Sequence, residues 1–236
     1  MPRTDELLDK LGWAQFISTL DLTKGYWQVP LDESAKERSA FTTHVGLYEF
    51  NVLPFRLRNA PATFQSLVDG LLAGLGENVV TYLDDVDIFL DSWAEHLEHL
   101  QKVFECIREA GLTVKAKKCQ IGLNRVTYLG HLVGQGTINP LQAKVDALQK
   151  WPVPKSKKQV QSFLGLARYY RRFVPQYSQI TTPLTDLTKK TPANAVQWAE
   201  ECQKTFNQFK ATLMSDPVLR PPDFDRPFLV TTDATD

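Results

Sequence analysis

An α+β fold, with a small antiparallel sheet packed on helices followed by a mainly helical part, is predicted by three features of the 236-residue sequence. Short β-branched and aromatic runs come in pairs around turn residues, and amphipathic runs at helical spacing separate them. Beyond a proline-rich stretch at 151–154, helical patterns predominate. Apolar residues make up 43% of the chain and aromatics 11%, ample for a core, which excludes a disordered chain.

In chain order, the runs 16–22 and 26–31 read as strands separated by Thr23, Lys24 and Gly25. Runs 39–43 and 47–53 form a hairpin about His44-Val45-Gly46. After Asn59 and Pro61, Phe64, Leu67, Val68, Leu71, Leu72 and Leu75 recur at helical spacing until Gly76, which predicts a helix with one buried face. Runs 79–83 and 86–90 predict a second hairpin, whose turn carries Asp84 and Asp85. Ser92 and Glu95 form a capping-box pattern ahead of Leu97, Leu100, Phe104 and Ile107, and Gly111 supplies a left-handed stop, so 93–110 is a helix. A strand at 126–133, a turn at 134–136 and a helix opening at Asn139-Pro140 follow. Trp151-Pro152-Val153-Pro154 cannot be helical and marks a linker and a domain boundary. Ser156 with Gln159 repeats the capping box before Val160, Phe163, Leu164 and Ala167, and further helices are expected over 176–189 and 198–214.

The formal net charge is zero, yet residues 1–101 carry 7 basic against 16 acidic side chains, whereas 102–190 carry 16 against 4 and 191–236 carry 4 against 7. An acidic part able to hold cations thus adjoins a basic part able to hold a polyanion, unless the basic stretch is simply a solvated face. No apolar run reaches the roughly 18 residues of a membrane span, and no basic stretch followed by an apolar one opens the chain, so a soluble chain without an export signal or membrane partner is expected. Cys106, Cys119 and Cys202 are odd in number and unpaired in spacing, which argues against a disulfide framework or structural zinc and for a reducing compartment inside the cell.

Chemistry concentrates in three carboxylates. Asp21 ends the first strand, and Asp84 with Asp85 occupies a hairpin turn 63 residues later. Adjacent strand residues face opposite ways, so Asp84 and Asp85 act together only if the turn or a bulge re-aims one of them. Convergent carboxylates repel one another, and a hard divalent cation such as magnesium relieves the repulsion while keeping positions open for phosphate. Two such ions about 4 Å apart support in-line phosphoryl transfer. An Asp-Asp pair in a turn is by itself an ordinary turn preference, so the surrounding residues must decide.

Those residues are 19–29 (TLDLTKGYWQV), Leu53-Pro54-Phe55, Asn59-Ala60-Pro61-Ala62-Thr63-Phe64-Gln65, and Tyr82-Leu83-Asp84-Asp85. Tyr128-Leu129-Gly130-His131, Ser162-Phe163-Leu164-Gly165-Leu166 and Tyr169-Tyr170-Arg171-Arg172-Phe173 follow in the same order. The set resembles the reverse transcriptases, RNA-directed DNA polymerases, of Gypsy-type long-terminal-repeat retrotransposon polyproteins, over nearly the whole chain.

The resemblance implies a palm over 1–138, a thumb and connection over 139–222, and the first strand of a ribonuclease H domain over 223–236, with Asp233 at its first catalytic carboxylate. It makes Asp21, Asp84 and Asp85 the catalytic ligands of two Mg2+ ions, with Mn2+ as a substitute. Tyr26 lies below the incoming sugar, where its ring would collide with a 2′-hydroxyl, and Phe55, Arg56 and the Asn59-Ala60-Pro61 turn line the nucleotide and template pocket. Tyr128, Leu129, Gly130 and His131 form the primer grip. Gln161, Gly165 and Tyr169, four residues apart on one helix face, track the minor groove, while Lys157, Lys158, Arg171 and Arg172 neutralise phosphates. Core packing of Tyr169 and a close contact at Gly165 account equally well for those two, and His131 taken alone reads rather as a structural histidine. The implied partners are an RNA template, a DNA primer, deoxynucleoside triphosphates and the remaining polyprotein, including ribonuclease H and integrase.

The sequence departs from the family at several points. It starts where the basic fingers segment would already be finished, and only the first ribonuclease H strand is present, so RNA cleavage is not expected of it. Arg56 replaces a glycine, Arg168 a small residue, and Asp87 an apolar residue on the face that Asp85 occupies in a regular strand. A catalytically inactive relic or a nucleic-acid-binding module is the alternative to a working polymerase.

Overall fold

The computed structural model describes residues 3–189, 196–215, 217–223 and 226–228. Asp233 and the strand expected around it lie outside these residues. The chain divides into one compact unit of residues 1–129 and 133–135 and another of 130–132 and 136–236, so the division falls upstream of the proline-rich stretch.

The first unit opens with helix α1 (Thr4–Gly12), strand β1 (Phe16–Asp21), helix α2 (Glu33–Arg38) and a hairpin of β2 (Phe41–Thr43) and β3 (Gly46–Tyr48). Helix α3 (Ala60–Leu72), strands β4 (Val79–Tyr82) and β5 (Asp85–Leu90), helix α4 (Trp93–Glu109) and strands β6 (Gln120–Leu123) and β7 (Val126–Tyr128) complete it. The main sheet has the order β4-β5-β1-β6, and both neighbours of β1 run antiparallel to it. Helix spacing explains the backing of this sheet: Phe64, Val68 and Leu72 of α3 and Leu100, Val103 and Ile107 of α4 recur every three or four residues and pack with Leu20, Val86 and Ile88 of the strands. Burial of these apolar side chains, each contributing about 1.5–3 kcal/mol, fixes one face of the sheet against helix.

Several boundaries differ from the sequence pattern. Residues 26–31 are not a strand, because Lys24 (φ 59°) and Gly25 (φ 38°) turn the chain left-handed and a 3-10 turn, Gly25–Gln28, follows. The single strand expected at 126–133 breaks at Leu129 (φ 43°) and Gly130 (φ 72°) into β7 and β8 (His131–Gly134). Asn139-Pro140 ends strand β9 (Thr137–Pro140) instead of opening a helix, and α5 (Gln142–Gln149) starts after it. Ser92 makes no side-chain cap, whereas the Ser156 hydroxyl accepts from the Gln159 N–H at 3.4 Å and Gln159 Oε1 accepts from the Lys155 N–H at 2.7 Å.

The second unit contains α5, α6 (Lys157–Tyr169), α7 (Tyr177–Asp186) and α8 (Glu200–Met214). Its core is aromatic: Phe163 of α6 meets Phe206 and Phe209 of α8 at 4.7 and 5.6 Å between ring centroids. Lys210 donates to the carbonyls of Gln149 (3.0 Å) and Trp151 (2.6 Å), which ties the proline-rich stretch to α8.

Candidate active site

Register brings the carboxylates together. In the β1–β5 ladder Asp21 stands directly opposite Asp85, so their side chains share a face, and Leu22 N–H donates to the Asp84 carbonyl at 2.7 Å. Leu83 (φ 56°) makes the β4–β5 turn left-handed and displaces Asp84 from strand alternation, the re-aiming that a pair of adjacent aspartates requires. Thr19 and Asp87 form the next pair on the same face, and Asp21, Asp85 and Asp87 line one cavity of about 390 Å³ with Lys118, Cys119 and Tyr128.

Gly25 explains the close fit around Asp84. A Cβ at this position would run into the Asp84 carboxylate, and the φ of 38° disfavours any side chain there. Burial and then the Asp21 charge raise the Asp84 carboxyl above the usual range, and the same two causes, joined by Asp84, raise Asp85. Asp84 Oδ1 is shielded from solvent and takes no hydrogen bond. Lys118 opposes the repulsion: its Nζ donates to Asp21 Oδ2 at 2.6 Å and lowers the pKa of both Asp84 and Asp85. An oxygen-only set in which the Asp84 and Asp85 carboxyls are raised and a buried Asp84 oxygen is orphaned fits a hard divalent cation. Among the described residues, no three His, Cys, Asp or Glu side chains are already gathered as a metal cage.

Gln65 holds the turn. Fully enclosed at 2% exposure, it accepts from Leu83 N–H at 2.9 Å and donates to Thr81 Oγ1 at 2.7 Å and Asp69 Oδ1 at 2.8 Å, while the Thr81 hydroxyl bonds Asp69. This clamp ties α3 to β4 and to the residue before Asp84. The motif string contained Gln65, but only a glutamine seen in the core with every amide atom used identifies the role.

The Tyr26 ring packs on Phe55 (5.1 Å) and Phe64 (5.5 Å), and burial, then the Asp84 charge, raises its hydroxyl pKa. Arg56 is exposed with φ 75°, in the backbone region that favours glycine. Asp87 is fully buried, and burial, then Asp85, raises its carboxyl far above the usual range. It faces the Tyr128 hydroxyl without aligned hydrogen-bond geometry.

In the second unit, His131 is buried among Tyr169, Tyr170 and Phe173, with centroids 5.2, 5.5 and 5.7 Å away. The Tyr170 hydroxyl donates to the Gly130 carbonyl at 3.0 Å, and burial pushes its pKa up to about 12. A Cβ on Gly130 would press on the Tyr169 hydroxyl at 3.3 Å. Gln161, Gly165, Arg168 and Tyr169 share an exposed face of α6 with Lys158, and Gly165 has open space where a side chain would be. Arg171 and Arg172 are exposed beyond the helix end, and Lys157 Nζ donates to the Lys189 carbonyl at 3.0 Å.

A helix-backed antiparallel sheet with an acidic hairpin at its end puts the chain in the class of polymerase palms. Among solved structures, a foamy viral protease-reverse transcriptase in complex with double-stranded DNA has a TM-score of 0.87 at 29% identity, over 94% of this chain and 39% of that one. Another, in complex with an RNA/DNA hybrid, has a TM-score of 0.80 at 30% identity, over 89% and 29%. Residues 1–133 match the family described as reverse transcriptase (RNA-dependent DNA polymerase), and the chain belongs to that family. Residues 198–236 match an RNase H-like domain found in reverse transcriptase.

Similar curated proteins are retrotransposon polyproteins. The Retrovirus-related Pol polyprotein from transposon 297 of Drosophila melanogaster is 40% identical over the whole chain, and that from transposon gypsy is 37% identical. The Tf2-3 polyprotein of Schizosaccharomyces pombe is 32% identical. The chain spans 22%, 24% and 18% of these relatives' lengths respectively, about a fifth.

Proposed function

We propose that this chain carries the nucleotidyl-transfer site of an RNA-directed DNA polymerase, with Asp21, Asp84 and Asp85 as the ligands of two divalent ions. The observation that carries the reading is the register of Asp21 opposite Asp85, with Asp84 re-aimed by a left-handed Leu83. Magnesium, or manganese in its place, would supply neutralisation of the triphosphate and activation of the primer 3′-hydroxyl. The chain's own residues do the positioning. Gly25 leaves room for Asp84, Gln65 fixes the turn, and the Tyr26 ring, wedged between Phe55 and Phe64, forms a rigid floor for a deoxyribose.

Template and primer are the proposed polymer ligands, held through phosphates by the basic second unit. Lys158, Arg168, Arg171 and Arg172 are exposed cations, as neutralisation of a phosphate backbone requires. The palm, thumb and connection partition at 138 and 222, the primer-grip role of residues 128–131 and the ribonuclease H role of Asp233 belong to the same reading, as do ribonuclease H and integrase as polyprotein neighbours.

Extension of a DNA primer on an RNA template with magnesium tests it. The chain is expected to extend the primer and Asp84→Asn, Asp85→Asn to lose the activity by at least about a thousandfold. Template-primer binding without extension, even at high enzyme concentration, favours the binding-module alternative, to which the exposed left-handed Arg56 lends support.

A further inference from the structure

We infer that Lys118 sets the divalent-cation affinity of the Asp21, Asp84 and Asp85 triad by holding Asp21 as an internal counterion that a bound cation must displace. The inference rests on the reading of those carboxylates as cation ligands. Its support is a turn constructed on Asp21 itself. Lys115 N–H donates to the Asp21 carbonyl at 2.8 Å, and Lys118 Nζ donates to the Asp21 carboxylate at 2.6 Å, so one short segment grips both ends of the same residue.

That segment is stiff. It is a 3-10 turn, Ala116–Lys118, closed by Lys118 N–H on the Lys115 carbonyl (2.8 Å) and Cys119 N–H on the Ala116 carbonyl (3.2 Å). Immediately after it, Gln120 pairs with Thr19 in the strand that carries Asp21. The backbone therefore places the Lys118 Cα within reach of the Asp21 carboxylate, and the side chain closes the contact.

Without a cation, three carboxylates at one sheet end repel each other, and Lys118 offsets part of that repulsion. Its side chain is 56% exposed while that of Asp21 is 21% exposed, so the ammonium can withdraw into water at small cost when a more densely charged ion arrives. A monovalent ion brings no more charge than the tethered ammonium already supplies and gains little by replacing it. The lysine thus both stabilises the cation-free protein and favours divalent over monovalent ions.

The test is Mn2+ binding, followed by the spin-resonance signal of the free ion, to the full chain and to its Lys118→Met and Lys118→Arg variants, with melting curves in chelator and in magnesium. Lys118→Met should bind Mn2+ about tenfold more tightly. It should also melt lower in chelator and gain more from magnesium than the unsubstituted chain. Lys118→Arg, which keeps the charge, should stay within about threefold of the unsubstituted chain. Equal Mn2+ affinity in Lys118→Met and the unsubstituted chain overturns the inference and leaves the triad as a cation site. A melting loss of Lys118→Met that persists undiminished in an Asp21→Asn background overturns it equally. If folded samples of all three bind no Mn2+, the cation reading itself fails and the counterion role fails with it.

Discussion

Arg56 and Gln65 mark opposite ends of what a single side chain contributes to this site. Arg56 is exposed at φ 75°, where a Cβ crowds the backbone, and no gain in packing compensates for it. Arg56→Gly should therefore raise stability by about 1 kcal/mol, read as a higher urea midpoint with unchanged slope. Gln65 uses both ends of its amide inside the core and holds the backbone N–H of Leu83, the residue that re-aims Asp84. Gln65→Ala leaves that donor and the Thr81–Asp69 pair short of partners, at a cost of about 2 kcal/mol. Because the turn then loosens beside the proposed cation ligands, single-nucleotide incorporation should fall by at least about tenfold, beyond what the stability loss explains. Both roles depend on geometry: the string of residue types reveals Arg56 as a departure and Gln65 as motif, without the φ angle of one or the burial of the other.

Elements with strong periodicity were legible in advance. Helices α3 and α4 and the acidic hairpin follow directly from apolar spacing and turn chemistry, because burying one helix face or one strand pair outweighs local preference. Weak elements were not. Residues 26–31 have strand composition, yet Lys24 and Gly25 coil them into a 3-10 turn so that the backbone can lie against Asp84. Ser92 has the capping pattern without the bond, and Ser156 has both. A second feature of α4 stayed hidden as well: His96 is fully buried, with Nε2 2.7 Å from Ser18 Oγ, which also accepts from Gly122 N–H at 2.9 Å, so the Ser18 hydroxyl links the α4 imidazole and β6 to β1. Burial, then His99, holds the His96 pKa below its ordinary value of 6.5. The unfolded chain consequently binds more protons than the folded one in mild acid, and stability present above 6.5 is lost as pH falls through that value toward the folded pKa. His96→Gln, which can still bond Ser18 but cannot ionise, should flatten this acid-side decline; urea unfolding at a series of pH values checks it.

For the molecule as a whole, zero net charge conceals a division of labour. The acidic first part carries the carboxylate site, and the basic stretch continues through α6, whose exposed face presents Lys158 and Arg168 ahead of Arg171 and Arg172. Replacing these four by glutamine should weaken binding to template-primers of any sequence alike. The slope of log affinity against log salt should drop by about 0.9 for each phosphate no longer neutralised. Weakening confined to particular sequences would contradict phosphate neutralisation as the mode of binding. Motif order was sufficient for the sequence to declare its family, and charge along the chain separated an acidic from a basic part, because residue identity alone encodes both. Tertiary structure alone decided that Asp21 faces Asp85, that Lys118 reaches Asp21, that Gln65 clamps the turn and that His131 sits in an aromatic cage. Each of these joins residues far apart in the chain. Strand register and helix packing set such pairings, and no local pattern of residue types contains them.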